Sequence, residues 1–382
     1  MTYKVPYSRQ SINKKDIKSV SSVLKSNFLT TGPKIEEFEK KIISTFSPKF
    51  SVAVNSATSA LHIACMALNL KKNDYLWTSP ISFVASSNCG LYCDANIDFV
   101  DIDSNTFNIS VEKLEKKLKR TSKKKLPKII VLVHLSGHPV NLKEVKKLSL
   151  KYKFKIIEDA SHAAGSFYAG SRIGDCKYSD ICIFSFHPVK TITTAEGGAI
   201  LTNSKKIFKK AFLLRSHGID KNIKKNTNPW FYDQKFLGYN YRMNDIQAAL
   251  GISQLSRLDT FIKKRNEIAS IYRKYLNSDK IKFQNLLPES KSSMHLFIIR
   301  INSILRKKIY NNLKKKGIGT NLHYIPIYRH SFYKKLNFKK SDFQNSERYY
   351  KEAMSLPLYY DLKKNTQMEI INIINKTLNT KN

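Results

Sequence analysis

The sequence predicts an α/β protein whose main sheet is mostly parallel and is flanked by helices on both faces. Seven apolar segments of strand length alternate with helical segments before residue 203. Their apolar runs are mostly continuous rather than alternating, which is typical of parallel strands covered on both faces. The length of 382 residues exceeds what one compact core usually holds, so we expect two unequal domains.

The strands and helices follow one another in a regular order along the chain. The seven predicted strands cover residues 51–54, 74–79, 97–101, 128–133, 155–158, 181–186 and 199–202. Helices fall between them, for example over 59–70, where the turn 55–58 leads out of a strand, and over 142–152. The seven strands therefore predict one large sheet.

The C-terminal part of the chain changes its pattern. Apolar residues at helical spacing predict a long helix over 245–276, and apolar segments predict strands over 295–301 and 319–324. We therefore expect a large α/β domain over residues 1–245 and a smaller α/β domain over 246–382 that begins with this long helix. We also expect residues 1–25 to pack on the small domain.

The composition is strongly basic, with 67 Lys and Arg against 29 Asp and Glu and a formal net charge of +38. The lysines are spread along the whole chain and accompany no RNA-binding or helix-turn-helix pattern. A solvated basic surface is therefore favoured, and we expect no nucleic-acid partner. A positive field would still attract a diphosphate substrate.

Membrane, secreted and metal-binding classes are disfavoured as well. No apolar run approaches the ~18 residues of a membrane span, and the first residues lack an apolar signal core. The five cysteines follow no zinc-binding spacing, which predicts reduced thiols and no metal. We therefore expect a cytoplasmic protein with no membrane partner.

The residues Ser56, Ala57 and Thr58 lie where a predicted strand turns into a helix. Backbone N–H groups at a helix N-terminus form an anion site, so this turn can hold a phosphate. The alternative is that Ser56 or Thr58 only caps the helix. The sequence contains no P-loop and no dinucleotide-binding glycine pattern, which disfavours a nucleotide cofactor.

Two further segments carry groups with specific chemistry. Asp159 ends a predicted strand and can keep a pyridine nitrogen protonated, or it can cap a helix. Lys190 follows the next strand in an apolar, hydroxyl-rich run, and can form a Schiff base or be an ordinary surface lysine. Ser185 can donate its hydroxyl to a phosphate, and the role of His187 stays open. Together these groups match pyridoxal 5′-phosphate.

The run 184–198 resembles the DegT/DnrJ/EryC1/StrS family of sugar aminotransferases. It begins with Phe-Ser-Phe-His-Pro-Val-Lys and ends with Glu-Gly-Gly at residues 196–198. The runs 55–62, 79–86, 158–165 and 238–242 resemble the same family. The resemblance implies the fold of the aspartate aminotransferase superfamily (fold type I) and a homodimer with shared active sites. It implies Lys190 as the Schiff-base and proton-shuttling lysine. The cofactor-binding residues that it implies are Asp159 on the pyridine nitrogen, Phe83 on the ring face, His162 beside the ring, Ala57, Thr58 and Ser185 on the phosphate, and Asn240 on the phosphate of the neighbouring subunit's cofactor.

Within this family, the runs 184–198 and 317–326 are similar to those of aminotransferases of pseudaminic-acid and surface-glycan biosynthesis. This implies transfer of the amino group of L-glutamate to C4 of UDP-2-acetamido-2,6-dideoxy-β-L-arabino-hexos-4-ulose, which gives UDP-4-amino-4,6-dideoxy-N-acetyl-β-L-altrosamine. His138 and Ala195 stand where other residues are frequent in the family. One alternative is the same chemistry on another nucleotide-linked 4-keto sugar, a UDP-pentose or a GDP- or dTDP-hexose. Another is a regulatory pyridoxal-phosphate-binding protein without turnover.

Overall fold

The computed structural model describes residues 3–220, 228, 230–276 and 278–380. Its centre is a seven-stranded sheet in the order β1-β9-β8-β5-β4-β2-β3. The strands are β1 (Phe50–Val54), β2 (Tyr75–Thr78), β3 (Asn96–Phe99), β4 (Ile129–Val133), β5 (Lys155–Asp159), β6 (Phe167–Tyr168), β7 (Ser171–Arg172), β8 (Ile181–Ser185), β9 (Gly198–Thr202), β10 (Ile219–Asp220), β11 (Asp233–Gln234), β12 (Lys282–Phe283), β13 (Ser290–Lys291), β14 (Phe297–Arg300) and β15 (Ala353–Leu356).

The predicted α/β class with a mostly parallel sheet is confirmed. Within the large sheet only β9 runs antiparallel to its neighbours, β1 and β8. The other neighbouring pairs are parallel. Every residue of β4, β8 and β9 is buried, which explains why their sequences are continuous apolar runs.

Helices cover both faces of this sheet. The helices are α1 (Lys14–Leu24), α2 (Pro33–Phe46), α3 (Ala57–Ala67), α4 (Ala85–Leu91), α5 (Val111–Arg120), α6 (Leu142–Tyr152), α7 (Lys205–Leu214), α8 (Asp245–Leu255), α9 (Leu258–Tyr275), α10 (Ser303–Lys315), α11 (Ser331–Lys334), α12 (Gln344–Glu352) and α13 (Lys364–Asn379). Helices α2, α5 and α6 contribute to the core on one face, and α3, α4 and α7 contribute to the core on the other.

The C-terminal part forms a second core around a three-stranded antiparallel sheet, β12-β14-β15. The strand predicted over 319–324 is wrong, because within this segment only Asn321 makes a bridge, an isolated one to Ser355; the residue before it, Ile318, makes another isolated bridge to Val5. The side chains at the end of this segment form hydrogen bonds with two different parts of the chain. His323 bonds to Ser355 of the small sheet, and Tyr324 bonds to His162 in the loop after β5. The third strand of the small sheet is β15, which the sequence analysis did not predict.

The single helix predicted over 245–276 is also wrong, because two helices, α8 and α9, meet at Ser256 and Arg257. Arg257 leaves helical geometry (φ −106°, ψ 5°). Its guanidinium bonds to the buried carboxylate of Asp16 and to the carbonyl of Ser11. Contacts with the N-terminal segment therefore redirect the chain, and local spacing cannot reveal such contacts.

The N-terminal segment connects several parts of the molecule. Val5 exchanges backbone bonds with Gly317 and Gly319, and the Tyr7 carbonyl accepts a bond from Leu358 N (3.0 Å). Helix α1 packs against α8. The division of the chain into two domains at residue 245 stays a prediction.

The structure adds two observations on the excluded classes. Among the helices that it describes, none combines the length and the apolar composition of a membrane span. In the same residues, no group of three or more His, Cys, Asp or Glu side chains could hold a metal ion. All five cysteines are free thiols.

The buried Asp16 predicts a measurable effect on stability. Its carboxylate accepts bonds from Ser253 Oγ (2.6 Å), Gln254 Nε2 (2.8 Å) and Arg257. We expect Asp16→Ala to lower the free energy of unfolding by about 3 kcal/mol, because it leaves a partly buried guanidinium without its partner. Urea unfolding would measure this. Glu112→Ala, which removes an exposed ion pair with Lys116, serves as the control. Equal midpoints for the two variants would contradict the expectation.

Candidate active site

The C-terminal ends of β5 and β8 lie side by side at one edge of the large sheet. The two strands are parallel neighbours, with Asp159 opposite Ile183, and Ser185 is the last residue of β8. A loop follows the C-terminal end of each of these two strands. Ligands of α/β proteins bind in the crevice outside such strand ends. The fold therefore brings the two predicted segments to one place.

The carboxylate of Asp159 is held from two directions. Its Oδ1 accepts bonds from Ser161 N (3.2 Å) and Ser161 Oγ (2.6 Å), and its Oδ2 accepts one from Ser86 Oγ (2.6 Å). Only 6% of Asp159 is exposed. Ser86 is a site residue that the sequence did not predict. The sequence signal that could have identified Ser86 is its position about one helical turn after the predicted site residue Phe83.

Lys190 lies in a turn after β8, in which its backbone N–H donates to the His187 carbonyl (2.9 Å). Burial lowers the pKa of its amine to about 8, while the negative charge of Asp159 acts in the opposite direction. At a given pH it therefore carries more free amine than an ordinary lysine, as a nucleophile requires. Ser8 Oγ donates to the Val189 carbonyl (3.1 Å) and ties the N-terminal segment to this turn.

Strand β9 lies between the two groups of predicted phosphate-binding residues, Ser185 on one side and the turn before α3 on the other. Gly198 is the register partner of Val54 on β1 and of Ser185 on β8. A Cβ on Gly198 would lie 2.6 Å from Ala57 N, so glycine allows β9 to approach the start of α3 closely. Ser56 caps α3 by accepting a bond from Ser59 N (3.1 Å), and the helix begins at Ala57, followed by Thr58. The capping role of Ser56 is therefore confirmed, and the phosphate site at this turn stays a prediction that the cap does not oppose.

Phe83 and His162 lie around the same crevice. Phe83 exposes 57% of its surface, although it is aromatic, and its ring centre lies 6.2 Å from that of Tyr324. His162 is buried and contacts Tyr324 Oη through Nε2 at 3.1 Å. Burial, followed by the positive charge of Lys190, holds the pKa of His162 well below its usual range.

Asn240 is the site residue predicted to contact the cofactor of the neighbouring subunit. It is exposed, and it bridges to Ser216 in a segment where the Tyr241 carbonyl accepts a bond from Asn55 N (2.9 Å). Its role toward a neighbouring subunit stays a prediction. His187, whose role was left open, is half-exposed, and its Nδ1 accepts a bond from Val189 N (3.4 Å).

The two departures from the family pattern have structural explanations. Ala195 adopts φ 65°, the left-handed region in which glycine is unstrained, and this explains why glycine is common there. His138 is buried, and its Nδ1 lies 3.2 Å from Ser292 Oγ. Burial lowers the pKa of His138 to about 3, so it is a neutral packing residue at physiological pH.

The donor set fits pyridoxal 5′-phosphate. Lys190 offers an amine, and the oriented carboxylate of Asp159 offers a partner for a pyridine nitrogen. The start of α3 and Ser185 offer N–H and O–H donors for a phosphate. Phe83 leaves an aromatic face uncovered for a planar ring.

Comparison with known proteins gives four related findings. The DegT/DnrJ/EryC1/StrS aminotransferase family matches residues 10–375. The UDP-4-amino-4,6-dideoxy-N-acetyl-beta-L-altrosamine transaminase of Campylobacter jejuni subsp. jejuni serotype O:23/36 (strain 81-176) is 40% identical over 367 residues, which cover 94% of this chain and 93% of that protein. The structure of Helicobacter pylori PseC, an aminotransferase involved in the biosynthesis of pseudoaminic acid, is similar with a TM-score of 0.89 and 33% identity over 99% of both chains. Spr1654 from Streptococcus pneumoniae, solved in its PMP-form, has a TM-score of 0.91 at 28% identity over 98% of this chain and 99% of that chain.

The close approach at Gly198 predicts a specific loss of cofactor affinity. We expect Gly198→Ala to weaken pyridoxal phosphate binding about tenfold or more, because the new methyl group pushes the start of α3 away and misplaces its N–H donors. Titration of the cofactor-free protein followed by visible absorbance would measure this. Gly170→Ala is the control: its φ of 84° strains the substituted backbone, but a Cβ there meets nothing within 4 Å, so it reports a loss of stability without displacement of α3. Equal affinities for both variants would contradict the expectation.

Proposed function

The chain belongs to the DegT/DnrJ/EryC1/StrS aminotransferase family, and on this premise we propose that it transfers the amino group of L-glutamate to C4 of a UDP-linked 4-keto sugar. The family is pyridoxal-phosphate-dependent and acts on nucleotide sugars, so the enzyme class and the cofactor follow from membership. The substrate that we propose is UDP-2-acetamido-2,6-dideoxy-β-L-arabino-hexos-4-ulose. The product is UDP-4-amino-4,6-dideoxy-N-acetyl-β-L-altrosamine, a precursor of pseudaminic acid in surface glycans.

One observation supports the proposed amino transfer most directly: Asp159 and Lys190 lie at the same edge of the sheet, and their side chains have different environments. The carboxylate is oriented by three hydrogen bonds, and the amine is desolvated and has a lowered pKa. The 40% identity to the Campylobacter jejuni transaminase supports the choice of sugar.

The residues of the chain divide the work between them. Pyridoxal phosphate, when bound, supplies an electron sink that allows a proton to leave the substrate carbon. Lys190 Nζ accepts the proton from the α-carbon of glutamate and, in the second half, delivers one to C4 of the sugar. Asp159 would hold the pyridine nitrogen, Phe83 would cover the ring, and Ser185 with the start of α3 would hold the phosphate.

We propose a homodimer in which Asn240 of one subunit completes the site of the other. Asn240 is exposed, and the backbone of the next residue, Tyr241, accepts a bond from Asn55 N beside the predicted phosphate turn. Nearby exposed apolar side chains, Trp230 (80% exposed) and Leu237 (73% exposed), offer an apolar surface for a second copy. A cytoplasmic location stays a prediction.

The visible absorption spectrum tests the first half of the reaction. We expect a band from the bound cofactor that bleaches when L-glutamate is added, with release of 2-oxoglutarate. Lys190→Ala should show neither the band nor the bleaching, because the amine that binds the cofactor covalently is absent. A wild-type protein without this band, even after the cofactor is supplied, would overturn the proposed function.

A panel of 4-keto sugars tests the second half. We expect the glutamate-treated enzyme to regain its band fastest with the UDP-linked N-acetyl hexos-4-ulose. Initial-rate lines at several glutamate concentrations should be parallel, since both substrates use one site in turn. Faster recovery with a UDP-pentose or with a GDP- or dTDP-hexose would reassign the sugar, and intersecting lines would argue against alternating use of the site.

Mixing of subunits tests the shared site. We expect Lys190→Ala and Asn240→Ala to be weak or inactive alone, and a refolded mixture of the two to regain activity. In the mixed dimer one site combines an intact Lys190 with an intact Asn240 from the other subunit. Full activity of Asn240→Ala alone, or no recovery on mixing, would count against the shared site.

A further inference from the structure

Tyr324 lies at the crevice without an assigned role. Its ring is nearly parallel to that of His162, with centres 6.1 Å apart at 18°, and it faces the exposed Phe83 at 6.2 Å. Burial, followed by the negative charge of Asp159, raises the pKa of its phenol. Tyr324 is therefore a neutral phenol next to the predicted cofactor-binding residues.

The protonation of the neighbouring His162 follows from its bonds. Ser136 N donates to His162 Nδ1 (3.3 Å), so this nitrogen must be an acceptor. A neutral ring that accepts at Nδ1 carries its proton on Nε2, and Nε2 lies 3.1 Å from Tyr324 Oη. Ser136 is held in place, since its carbonyl accepts a bond from His295 N (2.9 Å). His162 therefore donates to Tyr324 and cannot accept from it.

The consequence concerns the phenolic proton of Tyr324. The oxygen of this hydroxyl already accepts a bond from His162, so its own hydrogen can be donated only to a different acceptor. Among the residues that the structure describes, no such acceptor is found for Tyr324 Oη. The hydroxyl therefore remains an available donor at the crevice.

The surroundings of Tyr324 define the acceptor that it suits. His162 and His295 have pKa values well below the usual range, and that of His323 is lowered to about 3, each chiefly by burial. These three side chains form a polar wall without charge at physiological pH. A carboxylate is best held by a cation, whereas a sugar oxygen is satisfied by a neutral donor.

We propose that Tyr324 determines sugar specificity by donating a hydrogen bond to an uncharged oxygen of the 4-keto sugar, and that His162 positions its hydroxyl for this task. The inference rests on the proposed function and adds to it a residue that acts on only one of the two substrates. Glutamate, whose carboxylates carry charge, does not depend on this donor.

Tyr324→Phe tests the proposal, because it removes the hydroxyl and keeps the ring. We expect the half-reaction with the keto sugar to slow about tenfold or more, and the amino-sugar product to bind about tenfold more weakly by isothermal titration calorimetry. Bleaching by glutamate should stay within about twofold of the wild type. Tyr328→Phe is the matched control, since it removes a hydroxyl that bonds to Glu347 (2.9 Å) in the same segment.

His162→Gln and His162→Leu test the positioning role. Glutamine keeps an N–H donor and leucine does not, so we expect the ratio of sugar rate to glutamate rate to fall further in His162→Leu. An unchanged sugar half-reaction and product affinity in Tyr324→Phe, or an equal loss in both half-reactions, would overturn the inference while the proposed function stands. A wild-type enzyme that does not react with glutamate would overturn both.

Discussion

The hydrogen bonds to the Asp159 carboxylate are the interaction on which the geometry of the site depends. The bond from Ser86 ties α4 to the end of β5, and this brings Phe83, just before α4, to the same edge of the sheet. The parallel pairing of β5 with β8 then brings Lys190 to the same crevice. A carboxylate that is buried and oriented in advance costs little reorganisation when a positively charged ring binds.

The crevice combines two kinds of environment. Asp159 and Lys190 are ionisable groups, and the negative charge of Asp159 opposes the lowering of the Lys190 pKa by burial. The histidine wall opposite them is neutral because burial disfavours the imidazolium form, and the charge of Lys190 acts in the same direction. The positive charge of Lys190 therefore helps to keep these histidines neutral, and our proposal places proton transfer and sugar recognition in this one site.

The net charge of +38 belongs mostly to the surface. In α5, for example, exposed lysines pair with exposed glutamates at helical spacing, as Lys116 does with Glu112. Such pairs contribute little to stability. The excess of positive charge can raise the local concentration of a nucleotide sugar, whose diphosphate is negative.

The amino-acid sequence was sufficient to predict the elements of the large sheet and to single out Asp159, Lys190 and the turn before α3 as candidate site residues. These signals are local, since apolar runs, a strand-end acid and a helix start each occupy a few consecutive residues. Three features are visible only in the folded chain: Ser86 holds Asp159, Tyr324 contacts His162, and contacts with the N-terminal segment break the predicted helix at Arg257. Each of these contacts joins residues that are far apart in the chain, and such pairs are selected by packing of the whole fold rather than by the spacing of neighbours.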